Sequence, residues 1–216
     1  MDAATIQKIT VYAIPLIFAI TLHEAAHAFA ARYFGDATAY MLGRMTLNPI
    51  KHIDPIWTIA VPLMLILFNS PFIFGSAKPV PVNIGALRNP KRDMIWVAAA
   101  GPLANLAMMI AWAIVAKIAI TLGATGPIYF LALVAEAGIF VNALLMVFNL
   151  FPLLPLDGGR ILLGLLPNKL AYAFSRTEPY GMLILVGLMF TPILGLFMTP
   201  LIAFSMKSIY AIIGLS

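Results

Sequence analysis

His23, Glu24 and His27 form a His-Glu-x-x-His pattern inside an apolar stretch covering 11–31. Histidines four residues apart stand one above the other on one helical face and can grip a single metal ion. Glu24 lies about 100° round such a helix from His23, given 3.6 residues per turn. From there its carboxylate reaches water activated by the metal without being a ligand itself. This is the pattern of metal-assisted peptide hydrolysis, with the glutamate as general base. A catalytic zinc takes three protein ligands and keeps one open position, so a third His, Asp or Glu is needed. Asp157 sits between Pro152-Leu153-Leu154-Pro155 and Gly158-Gly159, where a locally unwound segment can aim a carboxylate. Glu136, inside another apolar run, is its rival.

The setting of these residues is unusual. The chain has 216 residues, 62% hydrophobic and 10% charged, with a mean hydropathy of +1.01. Soluble domains are about 45–50% apolar and about 25% charged, so a polytopic membrane protein is expected. Ionisable groups at bilayer depth are expensive and therefore functional by default. The absence of cysteine excludes disulfides and thiolate metal sites. The net charge of +5 does not imply nucleic acid, because Lys and Arg cluster in short loops as the positive-inside rule expects. The first apolar run carries the candidate catalytic residues, so it is not expected to be a cleaved signal.

The elements that must position the site follow from the apolar runs at 11–31, 56–74, 94–122, 128–156 and 181–213. A spanning helix needs about 20 residues. The last run is too long for one untilted span and is expected to break at Pro192, Gly195 or Pro200 into a hairpin at about 180–214. The pieces 38–41 and 44–47, parted by Gly43, read as short strands around a turn. The alternating prolines of 78–83 favour an extended backbone. The expected fold is thus an all-α polytopic membrane bundle of about five to six apolar segments with a short membrane-associated β element. One integral-membrane domain spans 1–216, its catalytic core at about 9–166. If the basic loops at 32–54 and 78–92 share the cytoplasmic side, the 56–74 run re-enters instead of crossing. The next two runs then go out and back. Asp157 ends at the depth of His23 and His27, and Glu136 lies nearer the opposite face.

Five separated motifs carry a resemblance to a known family. They are His23-Glu24-Ala25-Ala26-His27, Asn48-Pro49-Ile50-Lys51-His52-Ile53-Asp54-Pro55, Lys78-Pro79-Val80-Pro81-Val82-Asn83, Ala100-Gly101-Pro102-Leu103-Ala104-Asn105, and Asn149-Leu150-Phe151-Pro152-Leu153-Leu154-Pro155-Leu156-Asp157-Gly158-Gly159. In this order they resemble the site-2 proteases, the intramembrane zinc metalloproteases of regulated proteolysis. The chain looks like a compact member without PDZ insertions or an appended regulatory domain. The resemblance implies one Zn2+ held by His23, His27 and Asp157, Glu24 as general base, and Asn149 as a candidate oxyanion stabiliser. It implies a transmembrane protein substrate that is unwound before cleavage, since a helix hides its peptide bonds. Val80, Pro81, Val82 and Asn83 would offer such a peptide a strand edge. The expected location is a prokaryotic plasma membrane, the site facing the cytoplasmic side.

Other polar residues have simpler readings. His52 fits a loop-ordering role better than ligation, and Asn105 and Asn142 read as interhelical hydrogen-bond glue. Asn149 reads equally as glue. The alanines at 25, 26, 28, 30 and 31 are close-packing residues. Two other functions use the same features: a membrane transporter or metal carrier, and a silent scaffold that binds helices. Glu24 separates them from the endopeptidase, because a carrier has no need of a base beside the metal.

Overall fold

The computed structural model describes residues 3–60, 64 and 77–215. Helix α1 (Ala3–Tyr33) is followed by one short turn of helix, α2 (Thr38–Met41). A 3-10 turn at Pro49–His52 and a π-helical turn at Pro55–Ala60 come next. Two long helices, α3 (Pro90–Thr121) and α4 (Gly126–Asn149), form an antiparallel pair. Then come α5 (Asp157–Leu165), α6 (Asn168–Ser175), α7 (Glu178–Met189) and α8 (Pro192–Ile213). By length and composition α3, α4, α8 and Ile6–Tyr33 of α1 can cross a membrane.

Local chemistry sets the helix ends. Pro90 opens α3, where its missing N–H costs nothing, and the Asp93 carboxylate accepts the Asn89 N–H at 2.7 Å. Thr191 accepts the Ile193 N–H at 3.4 Å to start α8, which stops at Gly214 with φ 69°. That left-handed conformation suits glycine.

α1, α3 and α4 pack on one another, α8 closes against α3 and α4, and α5 lies on α3. Small residues bring them close. Met109, Ala113 and Ala116 of α3 meet Ala135, Ile139 and Ala143 of α4 and Ile209 of α8. Ala19 of α1 packs with Met108 and Val141. In lipid such close contacts hold helices together by dispersion, because burial from water is not available as a driving force. Gly138 of α4 lies flat against the Trp112 ring of α3, where a side chain would overlap the indole.

Two expectations need correction or restriction. The β element is absent: no strand occurs among the described residues. Residues 38–41 are helical instead, because Asp36 turns the chain by accepting the Thr38 N–H at 2.9 Å. Among the described residues the 78–83 segment has no ladder partner, and it is held largely by side chains. Arg44 donates to the carbonyls of Lys78 (2.8 Å) and Pro79 (3.4 Å), and Asp36 accepts the Asn83 N–H at 2.7 Å. Pro79 and Pro81 bring no donors of their own. The expected re-entrant run at 56–74 falls mostly outside the described residues. The 128–156 run stops being helical after Asn149 and resumes at Asp157.

Asp36 ties α1's end to this segment. Burial pushes its carboxyl pKa up, but the hydrogen bonds from Thr38 and Asn83 outweigh that and hold it below the ordinary value. A depressed carboxylate contributes stability above its unfolded pKa, and this is lost as pH falls through the folded value. The segment is therefore anchored throughout the neutral range.

Candidate metal centre

His23 and His27 project from α1 into the bundle, and Asp157 meets them from the first residue of α5. All three are buried. Asp157 Oδ2 lies 3.2 Å from His23 Nε2 and 3.4 Å from His27 Nε2, and the two nitrogens are 3.1 Å apart. Ligands about 2.0–2.1 Å from a tetrahedral zinc are separated by about 3.3–3.4 Å. The triangle therefore has the dimensions of one face of such a site. Asp157 Oδ2 is buried without a hydrogen-bond partner. Among the described residues no other cluster of His, Asp and Glu meets the same test.

The far sides of both rings explain why these atoms face each other. His27 Nδ1 donates to the Val97 carbonyl at 2.8 Å, and His23 Nδ1 meets Asn105 Oδ1 at 2.6 Å. With the ring protons on Nδ1, both Nε2 atoms keep lone pairs. In that state three atoms able to present lone pairs converge, a set that one cation would satisfy. The donor set of two imidazoles and one carboxylate suits zinc.

Glycines make the approach possible. Gly101 of α3 faces the cluster, and a Cβ there would stand 2.6 Å from His23 Nε2 and overlap His27 Nε2. Gly158 and Gly159 let α5 start directly against the backbone of 150–154, where any side chain would collide. Asp157 occupies the first turn of α5, whose positive end favours a carboxylate. Lys91 pins the far end of α5 by donating to the Leu166 carbonyl (2.6 Å) and Asn168 Oδ1 (2.8 Å).

The cluster forms part of the wall of a cavity of about 370 Å³. Glu24, Val80, Val82, Asn149 and Arg160 also line it. Glu24 Oε2 accepts the Val80 N–H at 2.8 Å, so the extended segment also holds this carboxylate. Pro81 does not line the cavity, and Asn83 is turned to Asp36. Asn149 Nδ2 donates to Leu145 O of its own helix at 2.9 Å. Glu136 is elsewhere, accepting from the Tyr210 hydroxyl at 2.9 Å. His52 is buried under the loop, where Nε2 donates to the Thr46 carbonyl (2.9 Å) and its own carbonyl accepts the Lys78 N–H (2.9 Å). Gly101 and Val97 were missed by sequence reasoning. The four-residue step from Val97 to Gly101 to Asn105, which puts all three on one α3 face, was the available signal.

Gly101→Ala should weaken zinc binding at least 10-fold in chelator competition, since the methyl occupies the space of the histidine nitrogens. Unchanged affinity would mean that the rings do not sit where the metal needs them.

No family model and no solved structure matches the chain. Curated relatives do. A Bacillus subtilis protein named as the zinc metalloprotease YwhC is 37% identical over 187 residues, covering 83% of this chain and 80% of its own. Rip2 of Mycolicibacterium smegmatis, also named as a zinc metalloprotease, is 30% identical over 181 residues. Rip2 of Mycobacterium tuberculosis is 27% identical over 180 residues. The chain spans 66% of the length of both Rip2 proteins. Identity of this degree extending over most of YwhC does not arise without common descent, and this chain belongs to the zinc metalloprotease family that includes YwhC.

Proposed function

We propose that the protein is an intramembrane zinc endopeptidase of the site-2 protease class, cleaving peptide bonds in or near transmembrane segments of other membrane proteins. The observation that carries this reading is the placement of Glu24 beside three converging ligand atoms in a cavity among membrane-length helices. His23, His27 and Asp157 would hold the ion. When bound, zinc supplies Lewis acidity and lowers the pKa of water to about 7.

The chain's own groups do the rest. Glu24 Oε2 is held by the Val80 N–H, which leaves Oε1 to take a proton from the attacking water. The same carboxyl then delivers that proton to the departing amide nitrogen. Asn149 has a second amide N–H beyond the one given to Leu145. Aimed at the developing oxyanion, such a donor is worth about 3–4 kcal/mol.

An unwound substrate needs backbone partners. Of the 80–83 segment, Val80 N–H is taken by Glu24 and Asn83 N–H by Asp36, while Pro81 has none. Val80 C=O and Val82 N–H have no partner among the described residues. These two groups are the pairing edge. The loops at 32–54 and 78–92 carry seven of the thirteen Lys and Arg residues, which by the positive-inside rule places them on the cytoplasmic side, so the cavity is reached from that side.

Three outcomes are expected. Glu24→Gln retains zinc and loses about 10²–10⁴-fold in kcat on a single-span substrate in detergent; undiminished cleavage would remove Glu24 as the base, and retained metal with undiminished biological activity in cells would favour a metal carrier. Val82→Pro deletes the pairing donor and slows cleavage at least 10-fold, whereas Val82→Ala does not; equal rates for the two, with normal zinc content, would discard the edge. Because the chain has no cysteine, Lys51→Cys is a clean probe of sidedness. It should react with an impermeant maleimide only in inside-out vesicles, and labelling in intact cells would reverse the orientation.

A further inference from the structure

His23 and His27 expose the same ring atom to the cluster but are held by different means. A backbone carbonyl holds His27. His23 is held by a side chain, and an amide can present either its oxygen or its nitrogen. Which end it presents decides the chemistry, because an amide nitrogen would donate to Nδ1 and drive the ring proton to Nε2.

The structure fixes that choice from a distance. Gly138 of α4 has a carbonyl that can only accept. Asn142 Nδ2 donates to it at 2.8 Å, which settles which end of its amide is oxygen. Asn142 Oδ1 then accepts from Asn105 Nδ2 at 3.0 Å, and the Ala19 carbonyl of α1 stands 3.5 Å from the same nitrogen. With its nitrogen between two acceptors, Asn105 has only Oδ1 left for His23 Nδ1, at 2.6 Å. An amide oxygen cannot donate, so the proton stays on Nδ1 and Nε2 keeps its lone pair. Turning either amide over would set oxygen against oxygen. Neither asparagine has any solvent exposure through which water could relieve that clash.

We infer that Asn142 and Asn105 are positioning residues, a relay that holds His23 in the tautomer whose Nε2, the nitrogen facing Asp157, can ligate a metal. The inference rests on reading His23, His27 and Asp157 as the metal centre. Partners on the far ring nitrogen orient a ligand histidine and raise its basicity, and losing them costs about 10–100-fold in metal affinity. Here the orienting information originates on α4, crosses α3, and reaches a ligand on α1. Correct packing of three helices and competence to bind metal are therefore one condition.

The test uses the full chain in detergent with zinc alone as probe. Affinity is read by chelator competition, and the histidine tautomers of the metal-free protein by 15N NMR. Asn105→Leu should bind zinc about 10–100-fold more weakly, and its His23 signals should become a mixture of tautomers while those of His27 stay unchanged. Asn142→Leu leaves the His23 contact in place but frees the Asn105 amide to turn over. It should move both readouts in the same direction by less, and add nothing in an Asn105→Leu background. It also serves if Asn105→Leu does not fold. Lower thermal stability with zinc affinity and His23 tautomer unmoved would reduce the asparagines to packing residues and overturn the relay. A wild-type chain that binds no zinc would instead remove the metal centre itself.

Discussion

Bringing a buried carboxylate and two imidazoles into one small space is the condition that the fold has to satisfy. Asp157 Oδ2 and two imidazole nitrogens lie within 3.1–3.4 Å of one another. In a low-dielectric interior such a grouping is unfavourable unless it is held rigidly or shares a cation. The bundle supplies the rigidity. α1 is wedged against α3 and α4 by alanines and glycines, and α5 is pressed onto 150–154 by two glycines in succession. Dispersion over many such contacts offsets the local cost.

The carboxylate proposed as the base and the segment proposed to receive substrate are joined by one hydrogen bond, Val80 N–H to Glu24. That segment hangs from Arg44, His52 and Asp36 instead of a sheet. Each of these anchors is itself oriented by the loop between α1 and α3. The polar motif around 48–55, remote from the histidines in sequence, therefore bears on the position of the base.

Some of this was legible in the residues. His23 and His27 read as a pair because helical spacing turns a four-residue interval into adjacency, and because polar side chains are so scarce in the apolar runs. Asp157 was found by parity of crossings, which needs only run lengths and charge. The strands expected at 38–41 and 44–47 were misread for a local reason. Asp36, just outside the segment, accepts the Thr38 N–H and turns the chain into a helical turn at 38–41. Asn105 and Asn142 were recognised as buried hydrogen-bonding residues, while their connection to His23 depended on helix rotation, which apolar composition leaves undetermined. Gly101 stood in one of the quoted motifs and one helical turn from Asn105, but the role of a missing side chain is readable only once its neighbours are known.

That glycine has a directional consequence. Where α3 passes the histidines its bare backbone seals one flank, so no atom of an incoming chain can reach the reactive centre through it. The cavity beside the cluster has Glu24 and Asn149 in its lining. A polypeptide bound there as proposed would meet both the proposed base and the proposed amide donor, so its direction would be set before any bond is broken.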